Sequence, residues 1–189
     1  TGLAAAALAH PGDRATLDEV QEHAWVRDGV RPGNALGSGW VQTGGALAAG
    51  LLGHWTGRPR LMQTGLDVLR TQAVTEVWVQ TVKVSVDRRR PDGGHYAFPS
   101  GHTATTFATA EVLRRDLGWK VGLPMYALGA YVATARMAQN HHYLSDVIAG
   151  AAIGLASAHS LRLGHGRHGL RIAPAATRRS LAVALTTGY

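Results

Sequence analysis

The sequence predicts an all-α fold, a helical bundle within a single domain. A stretch from Leu61 to about Arg88 contains no proline and only one glycine, and its apolar residues recur on one helical face. Two later stretches, about Leu123 to Ala138 and about Leu144 to Arg162, are also predicted to be helical. With 189 residues, the chain suits one domain that has room for a full hydrophobic core.

The first 45 residues give a weaker signal than the rest. A helix is predicted from about Thr16 to Arg27, ending before Gly29 and Pro32. The stretch Gly33–Gly45 holds five glycines and is expected to be a loop or linker, followed by a short apolar segment, Ala46–His54. We therefore divide the chain into an N-terminal segment of uncertain structure, residues 1–45, a helical domain, residues 46–164, and a basic C-terminal tail, residues 165–189.

The later helices have recognisable ends. The long helix is expected to end near Arg90, ahead of a loop rich in turn residues. The next helix opens at Ser100 and stops at Gly118. In the last helix, Gly150 and Gly154 would permit close contact with a neighbouring helix.

The charge balance narrows the classes of partner. A formal charge of +7 and a pI near 10.5 favour anionic partners, namely phosphate compounds, anionic lipid or nucleic acid. The absence of cysteine excludes disulfides, thiolate metal sites and cysteine nucleophiles. After Asp146 the chain has no Asp or Glu but five arginines. We expect this tail to be a solvated or disordered end rather than a segment lying on anionic lipid headgroups.

The uncharged segments are short for membrane spans. Val121–Ala135 and Val147–Leu161 are each 15 residues long, whereas a spanning helix needs about 20. Thr1–Ala9 has no basic n-region, so we expect a mature end or the remainder of a removed export signal. We expect a soluble domain that is extracytoplasmic (periplasmic) or membrane-associated through peripheral contact.

Three short segments carry polar groups that suit one kind of chemistry. The first, Lys83 to Pro91, is a cation-rich helix end. The second, Phe98 to Thr103, is a turn and helix start, where free backbone N–H groups can bind an anion. In the third, His142 and Asp146 are four residues apart and share a helix face, so the carboxylate can hold one imidazole nitrogen. Each segment alone has an ordinary structural explanation, but together they predict one site.

The three segments together contain what phosphoryl transfer without a metal requires. Three cations can neutralise a phosphoryl group: Lys83, Arg90 and Arg136. The hydroxyl of Ser100 and the N–H of Gly101 can donate to its oxygens. His142 can attack phosphorus while Asp146 orients it, and His102 can protonate the leaving oxygen.

These segments resemble the motifs of the phosphatidic acid phosphatase type 2 superfamily, which includes bacterial nonspecific acid phosphatases and vanadium haloperoxidases. The family's first motif, Lys, six residues, Arg-Pro, matches Lys83 to Pro91, and its second, Pro-Ser-Gly-His, matches Pro99 to His102. The third, Ser-Arg, five residues, His, three residues, Asp, matches Arg136 to Asp146, except that Ala135 replaces the serine. The resemblance covers Lys83 to Asp146 and extends only weakly into the flanking helices.

The resemblance implies a helical bundle of the phosphatidic acid phosphatase type 2 and haloperoxidase type, with the site between helices. It also implies a phosphohistidine on His142 that water later hydrolyses, with no metal or other cofactor, at a site that phosphate or vanadate can occupy. We therefore expect residues 46–164 to form a metal-independent phosphatase domain that hydrolyses phosphomonoesters. The expected substrate is a phosphorylated small molecule or a phospholipid, including lipid phosphates and diphosphates; the oligomeric state is not predicted.

Two other functions stay open at this stage. The same site would suit a vanadium-dependent haloperoxidase, with His142 as the vanadium ligand, although haloperoxidases of this family are much larger. A basic protein that binds nucleic acid is supported only by the net charge, and no nucleic-acid partner is expected.

Four nearby polar residues are not assigned to the site. His141 is turned about 100° from His142 if the two share a helix, and we do not expect it to take part in catalysis. His95, Arg88 and Arg89 are expected to face water.

Overall fold

The structure of the protein is a computed structural model that describes residues 2–162, 170–177 and 180–187. These residues form nine α-helices, one 3₁₀ turn and two strands. The elements are α1 Gly2–Ala9, the 3₁₀ turn His10–Gly12, α2 Asp13–Glu22, α3 Ala24–Gly29, α4 Pro32–Leu36, α5 Gly39–Trp55, α6 Pro59–Val86, α7 Gly101–Leu117, α8 Trp119–Ala138, α9 Leu144–Arg162, β1 Leu170–Thr177 and β2 Ser180–Thr187. The predicted all-α helical bundle is confirmed for the body of the protein.

Helix α7 is the centre of the bundle. It packs against α6, α8 and α9 and touches α5. Ala104, Ala108 and Val112 on α7 are completely buried. Val112 belongs to an apolar cluster with Ala46 of α5, and the cluster also includes residues of α6 and α9. The core therefore forms around α7, and the start of this helix is held in place by its neighbours.

Two glycines allow α9 to lie directly against α7, as the sequence predicted. A Cβ atom built on Gly150 would lie 2.4 Å from the carbonyl oxygen of Ser100. One built on Gly154 would lie 2.1 Å from the carbonyl oxygen of Ala104. Both neighbours are backbone atoms, so no side-chain movement could make room for a larger residue. This close approach places the start of α9 beside the start of α7.

The prediction of a loop or linker at Gly33–Gly45 was wrong. Most of this stretch is helical, in α4 and the first turns of α5, and the predicted boundary between residues 45 and 46 falls inside α5. Glycines allow α5 to cross α6 closely: a Cβ on Gly53 would lie 2.3 Å from the backbone N of Met62, and one on Gly65 would lie 2.5 Å from the carbonyl oxygen of Ala46. The glycines therefore allow close helix packing here, although a glycine-rich sequence is also typical of a loop.

Other element boundaries also differ from the prediction. The helix predicted over Thr16–Arg27 is two helices, α2 and α3, because His23 between them has an extended backbone with ψ of 96°. Helix α8 begins at Trp119, earlier than the predicted Leu123. Helix α6 ends at Val86, after which Asp87 takes a left-handed conformation with φ of 40°.

The C-terminal tail contains two strands that the sequence analysis did not predict. Strands β1 and β2 pair antiparallel, with Leu170 opposite Thr187 and Thr177 opposite Ser180. Residues 163–169, 178–179 and 188–189 lie outside the described residues, so the prediction of a solvated or disordered tail is not tested there. Within the described part of the chain, no helix has both the length and the hydropathy needed to cross a bilayer.

Candidate active site

The three predicted segments meet at one cavity of about 790 Å³ between α5, α6 and α7. Six of the predicted site residues line it: Lys83, Arg90, Gly101, His102, Arg136 and His142. The loop between α6 and α7 is held beside the start of α9, because the N–H of Ser100 donates to the carbonyl oxygen of Asp146 at 2.9 Å. Segments separated by more than 30 residues in sequence therefore face one another across the cavity.

The ring of His142 is fixed in one orientation by a backbone carbonyl. The side chain is 2% exposed, and its Nδ1 lies 2.6 Å from the carbonyl oxygen of Ala97. A carbonyl can only accept, so this contact assigns the proton to Nδ1 and leaves Nε2 with a free lone pair. Burial, together with the charges of Arg136 and Lys83, lowers the pKa of His142 despite the opposing effect of Asp146. The imidazole is therefore held neutral, as a nucleophile must be.

Asp146 lies close behind His142 but is not its nearest acceptor. Its Oδ2 is 3.8 Å from Nδ1 of His142, beyond hydrogen-bond length, and accepts the backbone N–H of Tyr143 at 2.8 Å. The carboxylate is completely buried, so its charge acts on the imidazole through a medium that screens it weakly. The carbonyl of Ala97, which the sequence analysis missed, is the acceptor in contact with the His142 ring, and the orienting role of Asp146 stays a prediction.

The cations on the cavity wall lie close enough to repel one another. Arg136 is 6% exposed, its Nη1 donates to Oδ1 of Asn34, and its Nε has no hydrogen-bond partner among the described residues. Burial and the charge of Arg90 lower the pKa of Arg136 to about 10. Burial and Arg90 also lower the pKa of Lys83, whose Nζ donates to the carbonyl oxygen of Tyr96 at 3.1 Å. An anion in the cavity would relieve this mutual repulsion.

His102 and Gly101 lie at the first turn of α7, beside the same cations. Burial, followed by the charge of Arg136, lowers the pKa of His102 to about 4. Both residues line the cavity at a helix N-terminus, where free N–H groups and the helix dipole favour an anion. A bound dianion would offset the neighbouring positive charge, and the same imidazole would then hold a proton more readily.

Ser100 lies beside the cavity lining and not within it, unlike the other predicted phosphate-binding residues. It is completely buried, it is not among the described side chains that line the cavity, and its hydroxyl bonds to that of Thr103 at 2.9 Å. Its role as a donor to phosphate therefore stays a prediction, whereas its backbone clearly ties the start of α7 to α9.

The expectation that Arg88 faces water was wrong. Its side chain is 20% exposed and bonds to two buried carboxylates, those of Asp13 and Asp146, at 2.7 and 2.6 Å. The neighbouring Arg89 is exposed, as predicted. The pattern of consecutive arginines gave no signal that would separate them, because the partner carboxylate of Asp13 lies 75 residues away in sequence.

The two other histidines near the motifs lie outside the cavity lining. His141 points to the loop before α7, where its Nδ1 is 2.8 Å from Oδ2 of Asp92. His95 is exposed and its Nδ1 is 3.0 Å from Oδ1 of Asp87. Among residues 2–162, 170–177 and 180–187, no three histidine or carboxylate side chains form a group that could hold a metal ion.

The comparison with known protein families identifies the class of protein. The sequence profile of the PAP2 superfamily matches residues 39–169, and the chain belongs to this superfamily. The resemblance found from the three motifs is therefore confirmed, and the fold and the arrangement of the site agree with it.

Two curated relatives match part of the chain. A lipid A 1-phosphatase of Porphyromonas gingivalis is 37% identical over 81 residues, which cover 41% of this chain and 18% of the relative. A PA-phosphatase related-family protein of Dictyostelium discoideum is 29% identical over 119 residues, which cover 48% of this chain and 44% of the relative. The chain therefore spans less than half the length of each of these two proteins.

Two solved structures share the fold over most of the chain. LpxE of Aquifex aeolicus has a TM-score of 0.66 at 20% identity, covering 79% of this chain and 94% of that chain. The transmembrane PAP2-type phosphatidylglycerolphosphate phosphatase of Bacillus subtilis has a TM-score of 0.72, also at 20% identity, covering 85% and 90%. At this level of identity the comparison establishes a common fold.

Proposed function

We propose that this protein is a phosphatase that hydrolyses phosphate monoesters of lipids through a phosphohistidine on His142, without a metal. One observation carries the proposal. A single cavity is lined by a neutral imidazole with a free Nε2, a second imidazole, His102, and three cationic side chains. The cations are Lys83, Arg90 and Arg136. They supply the positive charge that a metal ion would otherwise bring to a transferring phosphoryl group.

In the proposed reaction, the lone pair on Nε2 of His142 attacks phosphorus. The bond from phosphorus to the ester oxygen breaks, its electrons stay on that oxygen, and protonated His102 supplies the proton that makes the leaving group an alcohol. Water then attacks the phosphohistidine and gives a proton to His102, and the N–P bond breaks to release inorganic phosphate. Both histidines return to their initial protonation states.

A lipid substrate is supported by the walls of the cavity. Besides polar residues such as Gln72 and Glu76, the cavity lining includes apolar side chains of α5 and α6: Trp40, Leu69, Ala73 and Val79. Such a wall suits the apolar part of an amphiphile whose phosphate lies against the cations. The two phosphatases among the relatives whose names specify a substrate are named for lipid A and phosphatidylglycerolphosphate, which supports the same substrate class.

We further propose that the protein works at a membrane surface. One face of α5 carries exposed apolar side chains spaced by seven, four and four residues, which keeps them in one line along the helix. We call this line the apolar stripe; it consists of Trp40, Leu47, Leu51 and Trp55. Trp40 also lines the cavity, so the stripe leads from the surface to the cavity mouth. A lipid phosphate could reach the cations without leaving the membrane interface.

The proposed function is tested by phosphate release in the presence of excess EDTA. The substrates are phosphatidic acid in mixed micelles, a prenyl diphosphate and nitrophenyl phosphate, assayed with the native protein, His142→Ala and His141→Ala. We expect His142→Ala to lose activity by several orders of magnitude, because the nucleophile is gone, while His141→Ala, whose ring lies outside the cavity, keeps it. Rapid quenching with labelled substrate should give an acid-labile phosphohistidine in the native protein and in His141→Ala, but not in His142→Ala. Near-native activity in His142→Ala, or a requirement for Mg²⁺, would contradict the proposal.

A further inference from the structure

A buried carboxylate from the N-terminal part of the chain lies behind the start of α9. Asp13, the first residue of α2, is 3% exposed. Its Oδ1 accepts the backbone N–H of Ser145 at 2.7 Å, and its Oδ2 accepts the hydroxyl of the same residue at 2.6 Å. Ser145 directly precedes Asp146 in the first turn of α9. Asp13 therefore holds the turn that carries Asp146.

Arg88 connects this carboxylate to Asp146. Its Nη2 donates to Oδ2 of Asp13 at 2.7 Å, and its Nη1 donates to Oδ1 of Asp146 at 2.6 Å. Nη1 also donates to the hydroxyl of Ser145 at 2.7 Å, and the guanidinium lies 4.5 Å from the ring centroid of Tyr143. Both carboxylates are at most 5% exposed, so these charges interact with little screening by water.

Neither member of this pair is among the described residues that line the cavity. They act on the reaction only through Asp146, whose second oxygen lies 3.8 Å from Nδ1 of His142. We propose that Asp13 and Arg88 form a positioning pair that orients Asp146 toward His142 and offsets part of the negative charge that Asp146 presents to the imidazole. The kinetic test of this pair depends on the proposed phosphatase function, whereas the NMR test does not.

The charge of Arg88 bears on the protonation of His142. The ionisable groups that face His142 are Asp146 from the first turn of α9, Lys83 from α6, His102 from α7 and Arg136 from α8. Of these, only the carboxylate favours the imidazolium form. Removing the guanidinium leaves that carboxylate uncompensated, so the pKa of His142 should rise.

The test compares Arg88→Gln with Arg89→Gln, which removes the same charge at an exposed neighbouring residue that makes none of these contacts. With a soluble aryl phosphate, we expect Arg88→Gln to lower kcat by about ten- to a hundredfold while KM stays within about twofold, because the substrate touches neither residue. The pKa of the His142 ring, followed by NMR, should rise, and the acid limb of kcat/KM should move to higher pH. Arg89→Gln should change none of these.

Two more variants separate positioning from simple stability. Arg88→Lys keeps the charge but lacks the planar fork that reaches both carboxylates, so it should restore the pKa of His142 more fully than it restores kcat. Asp13→Asn combined with Arg88→Gln should lose less kcat than the product of the two single losses, because Asp13 and Arg88 contact each other and hold the same turn. If Arg88→Gln fails to fold, Arg88→Lys and Asp13→Asn support the same comparison of kcat and the pKa of His142.

Three results would overturn the proposed pair. They are an unchanged pKa of His142 with unchanged kcat per folded molecule, a rise in KM at constant kcat, and losses that multiply in the double variant. Absence of phosphatase activity in the native protein would overturn the proposed function instead, and the NMR comparison of His142 would still decide whether Arg88 acts on it.

Discussion

At the level of single residues, a backbone carbonyl determines the tautomer of His142, the proposed nucleophile. The carbonyl of Ala97 lies 2.6 Å from Nδ1 of His142, whereas the carboxylate of Asp146 lies 3.8 Å from it. The prediction that His142 and Asp146 share a helix face was wrong, because His142 precedes α9, which begins at Leu144. The two side chains are neighbours nevertheless, but their spacing could not predict which acceptor takes the hydrogen bond. The sequence cannot show which backbone carbonyl accepts this bond, since every residue has a carbonyl. The side-chain inventory of the site was thus predictable, and the tautomer of the nucleophile was not.

The low pKa of His102 makes a prediction about anion binding. In the free protein, burial and neighbouring cations, of which Arg136 is the strongest, hold this pKa at about 4. Sulfate stays doubly charged through the whole range from pH 4 to 8, so it supplies opposite charge without titrating itself. Saturating sulfate should raise the pKa of His102 by about 1–3 pH units, measured by NMR titration of the ring.

The rise in the pKa of His102 determines how the affinity for sulfate depends on pH. Because the complex holds the His102 proton more tightly than the free protein does, sulfate binding should take up a proton and tighten as the pH falls from 7 toward 4. His102→Asn identifies the ring signal and should reduce this dependence on pH. An unchanged pKa of His102 at saturating sulfate would mean that the anion binds away from this imidazole and that another group must act as the acid.

At the level of helices, the site depends on how closely α9 approaches α7. Gly150 lies over the carbonyl of Ser100, so the turn that carries His142 and Asp146 is pressed against the helix start that carries His102. The sequence predicted α9 correctly, because its glycines are isolated within an apolar periodic stretch. It failed for α5, where clustered glycines such as Gly44 and Gly45 imitate a loop although they lie within a helix. Glycine composition alone cannot distinguish a turn from a close helix crossing, because both need a missing side chain.

Gly154→Ala should destabilise the protein by disturbing the α7–α9 contact. The added methyl would lie 2.1 Å from the carbonyl oxygen of Ala104 and 2.9 Å from the backbone N of Ala108, so the helices must separate. We expect the free energy of unfolding to fall by about 1–3 kcal/mol, measured by urea denaturation. The control is Gly44→Ala in α5, where, in the described part of the chain and apart from α5's own adjacent backbone, no atom lies within 4 Å of the added methyl. The better helix propensity of alanine should there raise the same quantity by up to about 1 kcal/mol. Equal effects of the two changes would show that helix propensity, and not the close crossing, determines the result.

At the level of the whole molecule, the three motifs account for only part of the site. They lie between residues 83 and 146, yet Asp13 and Asn34 reach the site from the first quarter of the chain. The bond from Ser145 to Asp13 joins residues 132 positions apart, and the bond from Arg136 to Asn34 joins residues 102 positions apart. Contacts at such separations depend on how helices pack, which no local pattern in a single sequence specifies. The motifs therefore predicted six of the residues that line the cavity, and the structure adds the rest of the lining and the residues that support it.

The apolar stripe on α5 gives the last prediction, which concerns how substrate reaches the cavity. If the stripe lies in a lipid surface, Trp55→Glu should weaken binding to vesicles that contain phosphatidic acid by roughly tenfold or more, because burying one large apolar side chain contributes about 1.5–3 kcal/mol. Hydrolysis of the vesicle lipid should fall in parallel, while kcat/KM for soluble nitrophenyl phosphate stays unchanged, since Trp55 does not line the cavity. The matched control is Trp25→Glu: Trp25 is 76% exposed, as Trp55 is, but lies on α3, which packs against α2 and α8 and is not part of the apolar stripe. Cosedimentation with vesicles and phosphate release from both substrates measure these effects. Equal losses in the two variants would mean that any exposed tryptophan contributes, and the stripe would then have no special part in bringing lipid to His142.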